Sequence, residues 1–384
     1  MLLSHTPFYD ELNQAIAENG GIFNAHLHLD RAGTIEAKYM SASGVQQQEA
    51  SSISLAQKHG IISILHNGLA YDSTDLSRRV AAYIEMMIAA GTSRADTVVD
   101  VSCDRVGLSA LQTLSELQQH YAQKIDLRLG AYSPLGFTDA EPERWQLLQE
   151  AAEIADFIGS LPERDDRMDY PDHIGFYENC RRVLELGCQL GKPIHFHVDQ
   201  RNEPSEQATE ILVEAVEEFG APISDTDEPM IWAIHAISPS TYEEPRFKRL
   251  LTGLAEQNIG VICCPSAAIG MRQLRPLLAP TYNSIARVLE MLAAGIQVRL
   301  GSDNIADICA PSATPDLRDE IFVLSNAIRF YDVGILAKLA AGKRLSSADR
   351  DLIQQHLVAN EREIQKVLTR GDRTPNPLIA MSST

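Results

Sequence analysis

The chain has 384 residues, of which 45% are hydrophobic and 22% charged, so it can bury one large core or two ordinary ones. Its 33 basic against 52 acidic residues leave a net charge of −19. That argues against nucleic acid or an anionic membrane as partner, because both need a basic footprint.

The opening MLLSHTPFYDELNQ has no basic region followed by an apolar leader, and no apolar run approaches the roughly 20 residues of a membrane span. The six cysteines are scattered, without a CxxC pair. A reduced, cytoplasmic protein is the expectation. The first β-rich run is GIFNAHLHLD at 21–30. Side chains two apart on a strand share a face, so His26 and His28 point the same way. ADTVVDVSCD (95–104), IDLRLGAYS (125–133) and ADFIGSLPE (155–163) follow. Then come PIHFHVDQ (193–200), MIWAIHAIS (230–238), IGVICCPSA (259–267) and IQVRLGSDN (296–304).

Amphipathic stretches lie between these runs, among them LSRRVAAYIEMMIAAG, YENCRRVLELGCQLG, EQATEILVEAVEEFG and NSIARVLEMLAAG. All four end in glycine, a common helix stop, and IARVLEMLAAG repeats its apolar residues at helical spacing. Eight strand–helix units over about 300 residues predict a single (β/α)8 barrel. No glycine-rich phosphate loop follows the first strand, which argues against a dinucleotide-binding sheet. Residues 1–384 read as one domain with no sizeable β-sandwich. The barrel core spans about 20–340, extra helices lie at the ends, and a helical extension occupies 341–384.

Active sites of such barrels form at the C-terminal ends of the strands, and the polar residues fall there. His26 and His28 close strand one; His197, Asp199 and Gln200 close strand five. His235 lies near the end of strand six, and Asp303 and Asn304 end strand eight. Imidazoles plus one carboxylate suit a divalent ion such as zinc or iron. Such an ion lowers the pKa of a water from 15.7 towards roughly 7, and Asp303 is placed to take that water's proton and pass it to the leaving group. His195 faces the same way as His197 but deeper, which suits a supporting or core role. His59, His66 and His120 fall in helix or loop segments and read as structural. Cys263, Cys264 and Trp232 read as packing residues.

HxH after strand one, His after strands five and six, and Asp after strand eight resemble the amidohydrolase superfamily. NAHLHLDRAG and LGSDNIAD are most similar to its cytosine deaminase branch, which includes triazine-ring amidohydrolases. The resemblance spans about residues 20–340 and implies His26, His28, His197 and Asp303 as metal ligands. It gives His235 the orientation of the attacking water. Two-metal members often use a carboxylated lysine at the end of strand four, and Gly159–Arg164 contains none. One divalent ion is therefore implied, zinc first, with iron or manganese as alternatives, in a homo-oligomer acting on a small nitrogen-containing substrate.

Two departures bear on the substrate. Deaminases of this branch carry His-x-x-Glu after strand five, where this chain has His197-Val198-Asp199-Gln200. Glutamine exchanges no proton at neutral pH, and Asp199 alternates to the far side of the strand. Leu135 stands where cytosine deaminases place a glutamine that reads the pyrimidine edge, which argues against cytosine itself. Candidate substrate contacts are Gln200, Leu135, Glu163, Asn304, Arg272 and Arg275; the two arginines have the geometry to grip a carboxylate or ring carbonyls. Arg164, Asp104 and Arg105 are further candidates at strand ends. The expected activity is hydrolysis of a C–N bond in a small, heterocyclic compound. A ring-opening cyclic amide hydrolase, or a metal-binding barrel that has lost catalysis, is the alternative.

Overall fold

Eight parallel strands run side by side in chain order in the computed structural model, which describes residues 6–45, 53–271 and 284–369. They are β1 (Ile22–Leu27), β2 (Thr92–Asp100), β3 (Asp126–Tyr132), β4 (Phe157–Ser160), β5 (Ile194–Val198), β6 (Ile231–His235), β7 (Ile259–Cys263) and β8 (Val298–Leu300). Helix α1 (Pro7–Glu18) precedes the sheet, and α2 (Ala37–Met40), α3 (Leu55–His66) and α4 (Ser73–Ala89) join β1 to β2. Single helices α5 (Ser109–Tyr121), α6 (Pro142–Ile154), α7 (Phe176–Leu190), α8 (Ala208–Phe219) and α9 (Glu244–Glu256) join the next five pairs. The last connection holds α10 (Pro265–Ile269) and α11 (Val288–Ala293); α12 (Leu317–Ala327), α13 (Val333–Ala340) and α14 (Ser347–Thr369) follow β8. This is a single (β/α)8 barrel, as the spacing of the β-rich runs predicts.

The helices form where apolar spacing puts one face on the barrel. In α7, Cys180, Val183, Leu184 and Leu186 are buried, and Gly191 ends the helix with φ 63, a conformation that costs glycine nothing. The NSIARVLEMLAAG stretch departs from expectation: its helix begins only at Val288. Arg287 has ψ 63 and Val288 N bonds to Ala286 O, so the preceding backbone is not helical despite its apolar pattern.

The barrel closes where β1 meets β8. Asp303 N donates to His26 O at 3.0 Å and His28 N to Asp303 O at 3.2 Å. Lower on the same seam, Asn24 Nδ2 donates to Ser302 Oγ at 2.7 Å and Ser302 N to Asn24 Oδ1 at 3.0 Å. Between them Gly301 passes so close that a Cβ there would stand 2.7 Å from His26 O. At the N-terminal end of the barrel the Arg299 guanidinium lies 4.0 Å from the Trp232 ring and 5.0 Å from Phe23, which Arg94 also covers at 4.3 Å. Trp232 is buried there, away from the mouth.

Candidate metal centre

His26 and His28 reach the mouth through an irregularity in β1. Phe23 and Ala25 cluster with Trp232, Ile234 and Ile262, whereas Leu27 and Leu29 belong to the larger core. The pairing of β1 with β2 shifts register between Asn24 and Leu27, and this bulge changes which residues face inward. Both imidazoles then share one site, their ring centroids 5.2 Å apart. His197 enters from β5, and His235 ends β6.

One donor atom each from His26, His28, His197 and Asp303 lies within 4.8 Å of the other three, and all four residues are buried. His26 Nε2 and His197 Nε2 stand 3.0 Å apart, and Asp303 Oδ1 lies 3.3 Å from His28 Nε2 and 3.7 Å from His26 Nε2. Donors held about 2.0–2.1 Å from one tetrahedral ion are roughly 3.4 Å apart, so these three spacings fit a shared cation. His197 Nδ1 lies 2.9 Å from Ser160 O, which only a donated N–H satisfies, leaving a lone pair on Nε2. Burial first, then the neighbouring imidazoles, holds His26 and His197 well below the usual histidine range. Burial opposes ionisation of Asp303, yet the hydrogen bond with His28 and the charges of His235 and the other imidazoles keep its carboxyl well below normal. Metal binding requires its histidine ligands neutral, and three neutral imidazoles with one carboxylate would carry a single negative charge, the complement of a divalent cation.

A cavity of about 1450 Å³ opens above this cluster, with His28, His197, His235 and Asp303 at its base. His235 Nδ1 is buried and has no partner among the described residues. Gln200, Glu163 and Asn304 line the walls, with Gln200 Nε2 donating to Glu163 Oε2 at 3.0 Å. Asn304 Nδ2 also donates to Asp307 Oδ2 at 2.5 Å, which ties the residue to its own loop. After β7, Ser266, Ala267, Gly270 and Met271 form part of the rim. Arg272 and Arg275 lie outside the described residues.

Leu135 does not belong with them. It is half-buried and absent from the cavity wall, because the following turn is drawn against Asp165, which accepts from Phe137 N at 2.7 Å. Tyr132 and Leu161 line that side instead. Asp199 caps α8, accepting from Ala208 N at 2.8 Å and Thr209 N at 2.9 Å, and takes no part in the mouth. His195 is buried deeper, its ring 4.3 Å from Phe157. Arg164 stays at the cavity, stacked on Tyr170 at 4.4 Å, while Arg105 reaches the Asn67 and Gly68 carbonyls and Asp72 on the surface.

Two histidines that read as structural lie close to the site. His59, on α3, lines the cavity, and burial followed by the positive charges of Arg31 and Arg164 lowers it to about 3. His66, at the end of α3, lies 3.0 Å from Asp100 Oδ2 and 2.7 Å from Asp104 Oδ2. Asp100 in turn holds Arg31, whose Nε donates at 2.8 Å, so this buried chain of charges fixes a guanidinium at the cavity wall. The signal in the sequence is the Asp30-Arg31 pair one residue after HxH; the partners on β2 and α3 carry no motif.

No family model matches the chain. An uncharacterised protein of Haemophilus influenzae is 28% identical over 287 residues, 74% of this chain and 95% of that protein. A pterin deaminase of Rhizobium rhizogenes is 20% identical over 237 residues, 62% of this chain but only 51% of that enzyme. The crystal structure of 5-methylcytosine deaminase from Klebsiella pneumoniae with 5-fluorocytosine superposes with a TM-score of 0.71 at 22% identity, covering 84% of this chain and 74% of that one. N-isopropylammelide isopropylaminohydrolase from Burkholderia multivorans gives 0.64 at 19% identity, with the same coverage of 84% and 74%. At such identities the likeness is one of fold.

Proposed function

We propose that the chain is a metal-dependent hydrolase of the amidohydrolase superfamily that breaks a C–N bond in a small nitrogen heterocycle. The observation that carries this reading is the convergence of His26, His28, His197 and Asp303 on one point at the base of a cavity large enough for such a substrate. The 5-methylcytosine deaminase and the aminohydrolase named above share the fold, and the pterin deaminase is a distant sequence relative, which supports the same class of chemistry.

Those four residues would hold one divalent ion, because β4 runs into Gly159–Arg164 without a lysine to bridge a second. Zinc suits the donor set, with iron or manganese as the alternatives. When bound, the ion supplies a water of pKa near 7 and a positive charge beside the scissile carbon. His235 orients the attacking water from the cavity base. Asp303, ionised at neutral pH, accepts that water's proton and returns it to the departing nitrogen. Gln200 and Asn304 present carboxamides to the substrate's polar edge.

Residues 1–384 act as one catalytic unit, its helical extension packing α14 against α11. All six cysteines are free thiols, which supports a reducing, cytoplasmic setting. Among the described residues no helix is long and apolar enough to cross a membrane. Assembly is proposed as a homo-oligomer.

The test is release of ammonia or amine from metal-loaded protein across a panel holding 5-methylcytosine, guanine, a pterin, an N-alkylammelide, creatinine and hydantoin. Deamination or dealkylamination of a ring compound is expected. Ring-opened acids alone would replace that reading with a cyclic amide hydrolase, and no product from any compound would remove it.

A further inference from the structure

Hydrolysis at a ring carbon bearing an amino group needs two proton carriers. One takes a proton from the attacking water, and the other protonates the ring nitrogen that receives the C=N electron pair. Gln200 stands at the position where the resemblance places the second carrier, and a carboxamide cannot serve. Glu163 lies directly against it. Gln200 Nε2 donates to Glu163 Oε2 at 3.0 Å, and Gln200 N approaches Oε1 at 3.4 Å. Glu163 belongs to the short turn after β4 and faces the same cavity as His197, His235 and Asp303.

We infer that Glu163 is the catalytic acid–base that protonates the substrate's ring nitrogen, the task residue 200 cannot perform. This rests on the deaminase reading proposed above. The surroundings favour the protonated form of its carboxyl. Burial first, then the negative charges of Glu206 and Asp199, pushes the Glu163 carboxyl well above the usual range, against the opposing charge of Arg201 and the Gln200 N–H. Glu206, which accepts from Arg201 N at 2.9 Å and from the Ser238 hydroxyl, is itself pushed up to about 7.

The protons balance. Water oxygen bonds to the ring carbon as its proton passes to the Asp303 carboxylate. The C=N pair moves onto the ring nitrogen, which takes the Glu163 proton. Asp303 then gives its proton to the amino nitrogen, the C–N bond breaks, and ammonia leaves. The proton of the new hydroxyl returns to Glu163 as the C=O bond forms. Both carboxyls end as they began, with one water proton on ammonia and the other equivalent on the ring nitrogen.

The experiment uses full-length, metal-loaded protein and the panel compound that the unaltered chain deaminates fastest. E163Q keeps a side chain that hydrogen-bonds Gln200 but has no proton to transfer. Its kcat is expected to fall by about 10²-fold or more, with metal content, thermal midpoint and KM close to the parent's. The double variant E163Q/Q200E moves the carboxyl across that one hydrogen bond and recovers part of the loss. The infrared difference spectrum, parent minus E163Q at neutral pH, shows a protonated carboxyl. A kcat for E163Q within about threefold of the parent overturns the inference and leaves deamination standing. An ionised carboxylate in the difference spectrum overturns it whatever the turnover. A parent protein that releases neither ammonia nor amine overturns the deaminase reading and this inference with it.

Discussion

Asp199, His235 and Asp303 hold φ angles of 56°, 75° and 56°, in the left-handed region that residues with a Cβ rarely enter. Each such residue costs on the order of 1–3 kcal/mol, which the surrounding hydrogen bonds must offset. At these three positions the backbone turns the functional side chain, or the cap of α8, away from plain strand alternation. His66 shows the opposite economy: an ordinary conformation and an unusual charge. Burial alone would lower it, but hydrogen bonds with Asp100 and Asp104 raise it to about 9. A raised folded-state value stabilises the fold fully below the unfolded value of 6.5, and that stabilisation is lost as pH rises through about 9. Asp100 and Asp104, both held below 3.8, act in the other direction and lose their contribution as pH falls below the ordinary carboxylate range. Chemical denaturation between pH 6.5 and 9 is therefore expected to show a decline of at most about 3 kcal/mol in the parent that H66Q largely abolishes. An equal decline in both proteins would show that His66 is not the group responsible.

At the scale of elements, the seam between β1 and β8 explains why NAHLH and LGSDN belong together. Asn24 and Ser302 exchange two hydrogen bonds, Asp303 bonds the backbone on both sides of Leu27, and Gly301 leaves room for His26. The site and the barrel closure thus share residues. G301A puts a methyl 2.7 Å from His26 O, so one strand must move. A stability loss of about 1–3 kcal/mol is expected, with reduced metal content in the purified protein because His26 and Asp303 are displaced relative to each other. Unchanged metal content alongside the stability loss would uncouple closure from the site. The eight strands were legible because β-rich runs and glycine-ended amphipathic stretches alternate along the chain. The inward turn of His26 and His28 was legible only in outcome: alternation puts them on one face, but the bulge that makes that face the interior has no local signature. His59 and His66 read as structural in the sequence because their helix reaches the site through tertiary packing, which periodicity does not report.

For the whole molecule the decisive question is what the mouth holds. Neutral, buried imidazoles brought to 3.0 Å are a poor arrangement for folding by themselves, since the polar nitrogens forgo water and gain little from each other. A cation that binds the folded chain and not the unfolded one reverses this, adding RT ln(1 + [L]/Kd), about 4 kcal/mol at a thousandfold excess over Kd. Chelator-treated protein is therefore expected to melt several degrees lower than metal-loaded protein and to lose turnover in proportion to the ion removed. Readdition of zinc should restore both. D303A removes the only anionic donor of the four and with it the proton acceptor. It should lose turnover, and its melting temperature should no longer respond to zinc or chelator. Thermal melts of the two proteins, paired with elemental analysis, separate these effects. A D303A chain that still gains stability from zinc would place the ion elsewhere, and a parent that turns over fully with negligible bound metal would remove the centre from the chemistry.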